Sequence, residues 1–258
     1  MSQAGPGRIP EHLLPHPGPL PDEGEVAGIV GSKSGAIRAA IFGLNDGLVS
    51  NLSLIMGVAG GVAGSGGNAR FILLAGVAGL LAGAFSMAAG EYISMRVQRE
   101  LFERLIHIEA HEIGTDPEGE TDELARLLQR RGIPAVAARQ SAEAIMADPE
   151  QALDVHAREE LGLDPDELGS PWGAAGSSFI TFAGGAFVPL VPFLFATGAM
   201  AAWVSVGLSL TALFAVGSFL TRLTQRPALL SGGRMVLIGG SAALVTYVIG
   251  RLIGVAAT

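Results

Sequence analysis

The chain has 258 residues, 49% of them hydrophobic and only 16% charged, with 37 glycines and a mean hydropathy of +0.46, too apolar and too poor in charge for an ordinary water-soluble enzyme of this length. It contains no cysteine, which excludes iron–sulfur clusters, thiolate zinc sites, disulfides and cysteine nucleophiles and leaves Asp, Glu, His, Met and carbonyl oxygen as metal ligands. A net charge of −8 without a basic cluster argues against a nucleic-acid partner, since phosphate binding depends on grouped Lys and Arg.

Residues 1–35 are rich in Pro and Gly and have no apolar core behind a basic start, so they read as a disordered tail and not as a cleaved signal peptide. His12 and His16 in this tail are separated by Pro15, which opposes the helix needed to align them, and a solvated pair is the plainer reading.

Stretches near 20 apolar residues occur at about 39–63, 71–95, 174–196, 199–221 and 234–256, each long enough to cross a bilayer. The expected fold is therefore an all-α membrane protein with five transmembrane helices and a cytoplasmic helical domain inserted between the second and third. Its organisation reads as the tail 1–35, transmembrane helices over 36–95, the polar block 96–170 and transmembrane helices over 171–258. Lys33 and Arg38 precede the first span, Arg96, Arg99 and Arg104 follow the second, and Arg222, Arg226 and Arg234 separate the fourth and fifth. That bias puts the N-terminus and the polar block in the cytoplasm and the C-terminus outside.

In the polar block, "TDPEGETDELARLLQRRGIP" and "ADPEQALDVHAREELGLDPDELG" each place Asp before Pro and then Glu. An N-cap followed by Pro at the first helical position predicts helices near 119–131 and 149–162, with others at 96–113 and 134–147. In the spans, the four-residue glycine repeats Gly43/Gly47, Gly57/Gly61 and Gly79/Gly83 allow close backbone approach.

Two acids lie within spans, Asp46 in "IFGLNDGLVSNLSLIMG" and Glu91 in "FSMAAGEY". A carboxylate in hydrocarbon costs at least about 2.5 kcal/mol, so it is kept when it is paired, hydrated or used. Asp46 lies about 10 Å from the cytoplasmic start of its span and Met87 about 12 Å from the cytoplasmic end of the next, so the two are level if the helices are neighbours. Met87 and Glu91 share a helix face. Two carboxylates with a thioether suit a divalent transition metal over Ca or Mg. For Met87 alone, gap-filling in a core is the competing reading. Beyond the span, Glu100, Glu103, His107 and His111 fall on one helical face, with Glu109 turned away from it, and His156 and Glu160 lie four apart on the last helix of the block. A solvated face is the ordinary explanation of such a stripe; here it grows out of a span with intramembrane acids.

The segments "IRAAIFGLNDGLVSNLSLIMGVAGG", "AGAFSMAAGEYISMRVQRE" and "LDVHAREELGLDPDELGSPWGAA" closely resemble the vacuolar iron transporter family, from about residue 35 to the C-terminus. The resemblance implies homodimers that move Fe(II) out of the cytosol in exchange for protons, with no permanent cofactor. By the same resemblance Asp46 and Met87 match membrane metal ligands, with Glu91 in the same motif. Glu100 and Glu103 match the first glutamates of a cytoplasmic metal-binding helix, and Glu160 matches the acid before Leu-Gly on the last. The chain departs from the pattern at His111 and Gly114, where glutamates are usual, and at His156, where methionine is usual, which implies either an altered preference that admits Mn(II) or Zn(II) or a site that holds fewer ions. Usage rich in Ala, Gly and Arg suggests a bacterium, and hence a plasma membrane with metal, protons and lipid as partners. A di-iron enzyme of the ferritin type would need Glu-x-x-His on two helices, and no Glu here has His three residues on. A membrane-anchored metal sensor without transport is the alternative from another class.

Overall fold

The computed structural model describes residues 33–66, 68–166, 168–224 and 227–256. The expected tail falls outside the described residues up to residue 32, and helix begins at Lys33. Among the described residues the chain is helical with no strand. Helices α1 (Lys33–Ser65), α2 (Arg70–Thr115), α3 (Pro117–Arg130), α4 (Ala135–Met146) and α5 (Pro149–Glu159) come first. They are followed by α6 (Pro171–Phe187), a 3-10 turn (Val188–Leu190), α7 (Val191–Phe195), α8 (Ala199–Thr224) and α9 (Ala228–Ala256). Five helical stretches are long and apolar enough to cross a membrane: α1, α2, the α6–α7 run, α8 and α9. The third is not one straight helix, because Pro189 and Pro192 interrupt it.

At the centre stands α1, which touches α2, α6, α8 and α9. Glycine allows these contacts to be made backbone to backbone. A Cβ on Gly47 would overlap the Phe182 carbonyl oxygen of α6, and one on Gly250 of α9 would overlap the carbonyl of Gly57. In lipid, where apolar surface gives no drive to associate, such close van der Waals approach is what holds helices together. Large apolar side chains on α8 and α9, among them Trp203, Leu237 and Leu252, face outward, as a lipid solvent requires.

The second helix runs unbroken for 46 residues, about 69 Å at the helical rise. Its first half packs against α1 and α6, and its polar half against α3 and α5. Nothing in "EYISMRVQRELFERLIHIEAHEI" ends a helix: it lacks Pro and Gly and consists largely of good helix formers. The stop comes at Asp116, whose side chain caps α3 by accepting from the Gly119 N–H, with Pro117 at the first helical position. Asp148 caps α5 in the same way, accepting from the N–H groups of Glu150 and Gln151 ahead of Pro149. A small core of Leu124, Ala125 and Ala142, flanked by Leu128, Ile145 and Val155, joins α3, α4 and α5.

Candidate metal centre

Within the spans, α1 and α2 lie antiparallel, with Gly76 against Ile55 and Gly79 against Asn51 and Leu54. Counting two turns further along α2 brings Met87 to the level of the α1 turn that carries Asp46. Phe182 of α6 links the two sides, since Gly47 closes on its carbonyl and Gly83 on its ring, and Met87 packs in the same cluster. Asp46 is half-buried, and the Ser50 hydroxyl donates to its backbone carbonyl at 2.6 Å. Its carboxylate has no hydrogen bond or ion pair among the described residues. Glu91, one turn from Met87, is also half-buried and precedes Tyr92, whose ring sits 4.7 Å from that of Trp172. Aromatic pairs of this kind sit at membrane surfaces, which fits a place for Glu91 near the end of the apolar stretch.

A second centre lies in the block between spans two and three. Glu109 of α2, Glu120 of α3, His156 of α5 and Glu160 at the end of α5 present ligand atoms that all fall within 4.8 Å of one another. His156 Nδ1 is 2.9 Å from Glu109 Oε1, 3.4 Å from Glu160 Oε2 and 3.6 Å from Glu120 Oε2. His156 is wholly closed off and Glu109 is 3% exposed, while Glu160 reaches the surface. Glu109 Oε1 has no hydrogen-bond partner despite its nearness to the imidazole. Its approach to Nδ1 therefore has the distance of a hydrogen bond without the angle, as expected where donors converge on a shared point. One Nδ1–H can satisfy one carboxylate, and three compete for it.

The electrostatics agree. Burial first, then the charges of Glu160 and Glu120, push the Glu109 carboxyl up to about 7, with smaller contributions from Glu112 and Glu123. Burial also raises Glu120, against the opposing pull of His156. Among the described residues no Lys or Arg pairs with Glu109, Glu120 or Glu160. The nearby arginines are engaged elsewhere, Arg131 with Glu159 at 2.6 Å and Arg158 with Asp154 and Asp164. Surplus negative charge in a buried place is neutralised by protons or by a cation. Three carboxylates and one imidazole form a donor set for a divalent first-row transition metal.

Of the six residues expected on the sequence to form a metal site in this block, the single chain brings His156 and Glu160 together. It places Glu100 and Glu103 on another face, where Arg96 and Arg99 one turn earlier hold them at 2.6 and 2.8 Å. His107 and His111 are exposed on that face as well. The face turned inward carries Phe102, Ile106, Glu109 and Ile113, with coiled-coil spacing. Neither Glu109 nor Glu120 was among the residues expected on the sequence; a lone acid in an apolar stripe is the signal that could have marked Glu109. Glu120 carried a weaker one, because an acid in the first turn of a helix is also explained by the helix dipole. A separate cavity of about 360 Å³ between α1, α8 and α9 is lined by Met56, Ala202, Ala243 and other largely apolar groups, without a carboxylate or an imidazole.

The VIT family model matches residues 37–251. The chain belongs to the VIT family. Its similarity to named members is spread along its length: it is 34% identical to the vacuolar iron transporter of Acanthamoeba castellanii over 219 residues, 83% of this chain and 73% of that protein. It is 30% identical to vacuolar iron transporter 1 of Arabidopsis thaliana, over 84% of this chain and 86% of that one. The corresponding figure for vacuolar iron transporter 1 of Eucalyptus grandis is 31%, over 82% and 84%. Members of the VIT family bearing these names are transporters and not enzymes, which agrees with a chain whose acids are divided between the spans and a polar helical block.

Proposed function

We propose that this protein exports a divalent transition metal, Fe(II) first, from the cytosol by exchange for protons, and that it acts as a homodimer. The observation that carries the reading is the continuity of α2: one rigid helix bears Met87 in its apolar half and Glu109 in its polar half, about 33 Å apart along its axis. In the proposed cycle, the exposed stripe of Glu100, Glu103, His107 and His111 gathers cations at the cytoplasmic surface. The buried set of Glu109, Glu120, His156 and Glu160 selects among them. Glu91, Met87 and Asp46 then conduct the ion into the membrane, and a proton arriving at Asp46 from the outer side releases it. Metal and proton compete for the same carboxylate oxygens, which is the physical basis of the exchange. Binding has to stay weak enough at each station for the ion to leave.

His156 in the buried set favours borderline metals, so Mn(II) and Zn(II) are included among the cargoes. The location that follows is a bacterial plasma membrane, with the polar block in the cytoplasm. The name of the relatives supports iron as cargo, and the half-buried Asp46, unpaired among the described residues and beside the level of Met87, supports a path through the spans. The test is Fe(II) uptake into vesicles by the wild type and by Asp46→Ala, with the folded state checked by size exclusion. Abolished uptake by a folded variant supports the scheme. Unimpaired uptake would end it.

A further inference from the structure

The third span carries a feature that neither acid explains. Val188 N–H donates to the Gly185 carbonyl and Val191 N–H to the Val188 carbonyl, the three-residue spacing of a 3-10 turn. The bond of that series that would close on the Ala186 carbonyl needs an N–H at residue 189, and residue 189 is Pro. The one that would close on the Pro189 carbonyl needs an N–H at residue 192, and that is Pro too. In that three-residue series the Ala186 and Pro189 carbonyls lose their donor, and in the apolar region an unpaired polar group is costly. Each is taken by a side chain from a different span. The Asn51 Nδ2 amide of α1 donates to Ala186 O at 2.6 Å, and the Ser205 hydroxyl of α8 donates to Pro189 O at 2.7 Å. Asn51 is 2% exposed and Ser205 wholly buried.

We infer that Asn51 is a positioning residue for transport: it fastens the proline break of the third span to the helix that carries Asp46, with Ser205 fastening the far side of the break to α8. The inference rests on the proposed transport. The inner piece, α6, is the one packed on both Gly47 and Met87, so the tie sets how α6 closes over the level of Asp46. The outer piece, α7, packs on α8. The two pieces meet at the 3-10 turn Val188–Leu190, and helices broken within the membrane are a device by which membrane carriers build their binding sites. The remaining acceptor of Asn51, Oδ1, is buried without a partner and faces Gly79 of α2, so the residue sits in the seam of all three helices.

The chain has no natural cysteine, so nitroxide labels at Gly176→Cys on α6 and Phe195→Cys at the end of α7, both exposed, report the break directly. They lie about 28 Å apart along a straight helix, within range of dipolar spectroscopy. Asn51→Leu, close in size, is expected to broaden the distance distribution and to lower the maximal Fe(II) uptake rate while leaving KM for the metal near the wild-type value. Pro189→Ala restores the missing N–H, so Asn51→Leu with Pro189→Ala is expected to recover the narrow distribution and the rate. If Asn51→Leu alone fails to fold, recovery of folded protein in the double variant supports the tie equally. A distribution as narrow as the wild type in Asn51→Leu, or no recovery on adding Pro189→Ala, overturns it. The spectroscopic result stands without transport, so a failure of the transport reading would appear separately, as absence of uptake by the wild type.

Discussion

His156 Nδ1 stands 2.9 Å from Glu109 Oε1, across the contact between α5 and the polar half of α2, with both side chains shut away from water. That contact brings three carboxylates, of Glu109, Glu120 and Glu160, together around one imidazole, and the behaviour of Glu109 follows from it. Its carboxyl is raised from 4.5 to about 7, so the metal-free folded protein holds a proton there that the unfolded chain has released by pH 7. Stability should therefore fall as pH rises from about 4.5 to 7, with the loss complete above that window. At 1.36 kcal/mol per unit the ceiling is about 3 kcal/mol. Glu109→Gln should flatten the profile and leave the protein more stable than wild type at pH 8, as thermal unfolding in detergent with a chelator present would measure.

Metal and proton compete for the same oxygens, so affinity at the buried set should rise with pH and level off above about 7. Glu109→Gln or His156→Ala should weaken binding by about tenfold or more, read from Co(II) visible absorption in the full-length protein. The double change Glu100→Gln with Glu103→Gln removes two exposed pairs, each worth at most about 1 kcal/mol. It should leave this binding unchanged. Removal of metal by chelation should lower Tm in the wild type and not in His156→Ala.

Much of this arrangement was legible in the chain. Five apolar stretches gave five helices because bilayer thickness fixes their length, and the Asp-Pro-Glu pattern placed the starts of α3 and α5 because a cap and a proline act locally. Long-range packing was not legible. The stripe Glu100, Glu103, His107, His111 is as regular as the inward one, and local spacing does not tell which of two stripes will meet α5. That choice is made by Phe102, Ile106 and Ile113, whose apolar surface has to be covered. The break in the third span escaped for a related reason: Pro189 and Pro192 were visible, but the Ala186 and Pro189 carbonyls are satisfied by Asn51 and Ser205 from other helices.

The backbone contacts of α1 give a prediction on stability. A Cβ at Gly250 would overlap the Gly57 carbonyl, and one at Gly47 that of Phe182. Backbone cannot move aside as the end of a flexible side chain can. Gly250→Ala and Gly47→Ala should each cost about 1–3 kcal/mol, seen as lowered Tm. Gly90→Ala, with open space around it, should not.

Met87 fills space beside Phe182 and Ala84, and Leu conserves most of that volume, so Met87→Leu should cost less than about 1.5 kcal/mol. Its loss of sulfur should still be felt in transport, since a thioether favours softer metals over hard oxygen-seeking ones. Competition of Mg(II) against Fe(II) uptake should strengthen in this variant. Equal competition in wild type and variant would mean that Met87 only packs.

The most direct measurement is Fe(II) uptake into inside-out proteoliposomes with and without an imposed pH gradient, with internal pH followed by a trapped dye. Uptake stimulated by an acidic interior, accompanied by proton efflux, is the predicted result. Protein that is folded and binds metal at Glu109, Glu120, His156 and Glu160 yet moves no ion under either condition would contradict the account and make the protein a membrane-anchored metal sensor.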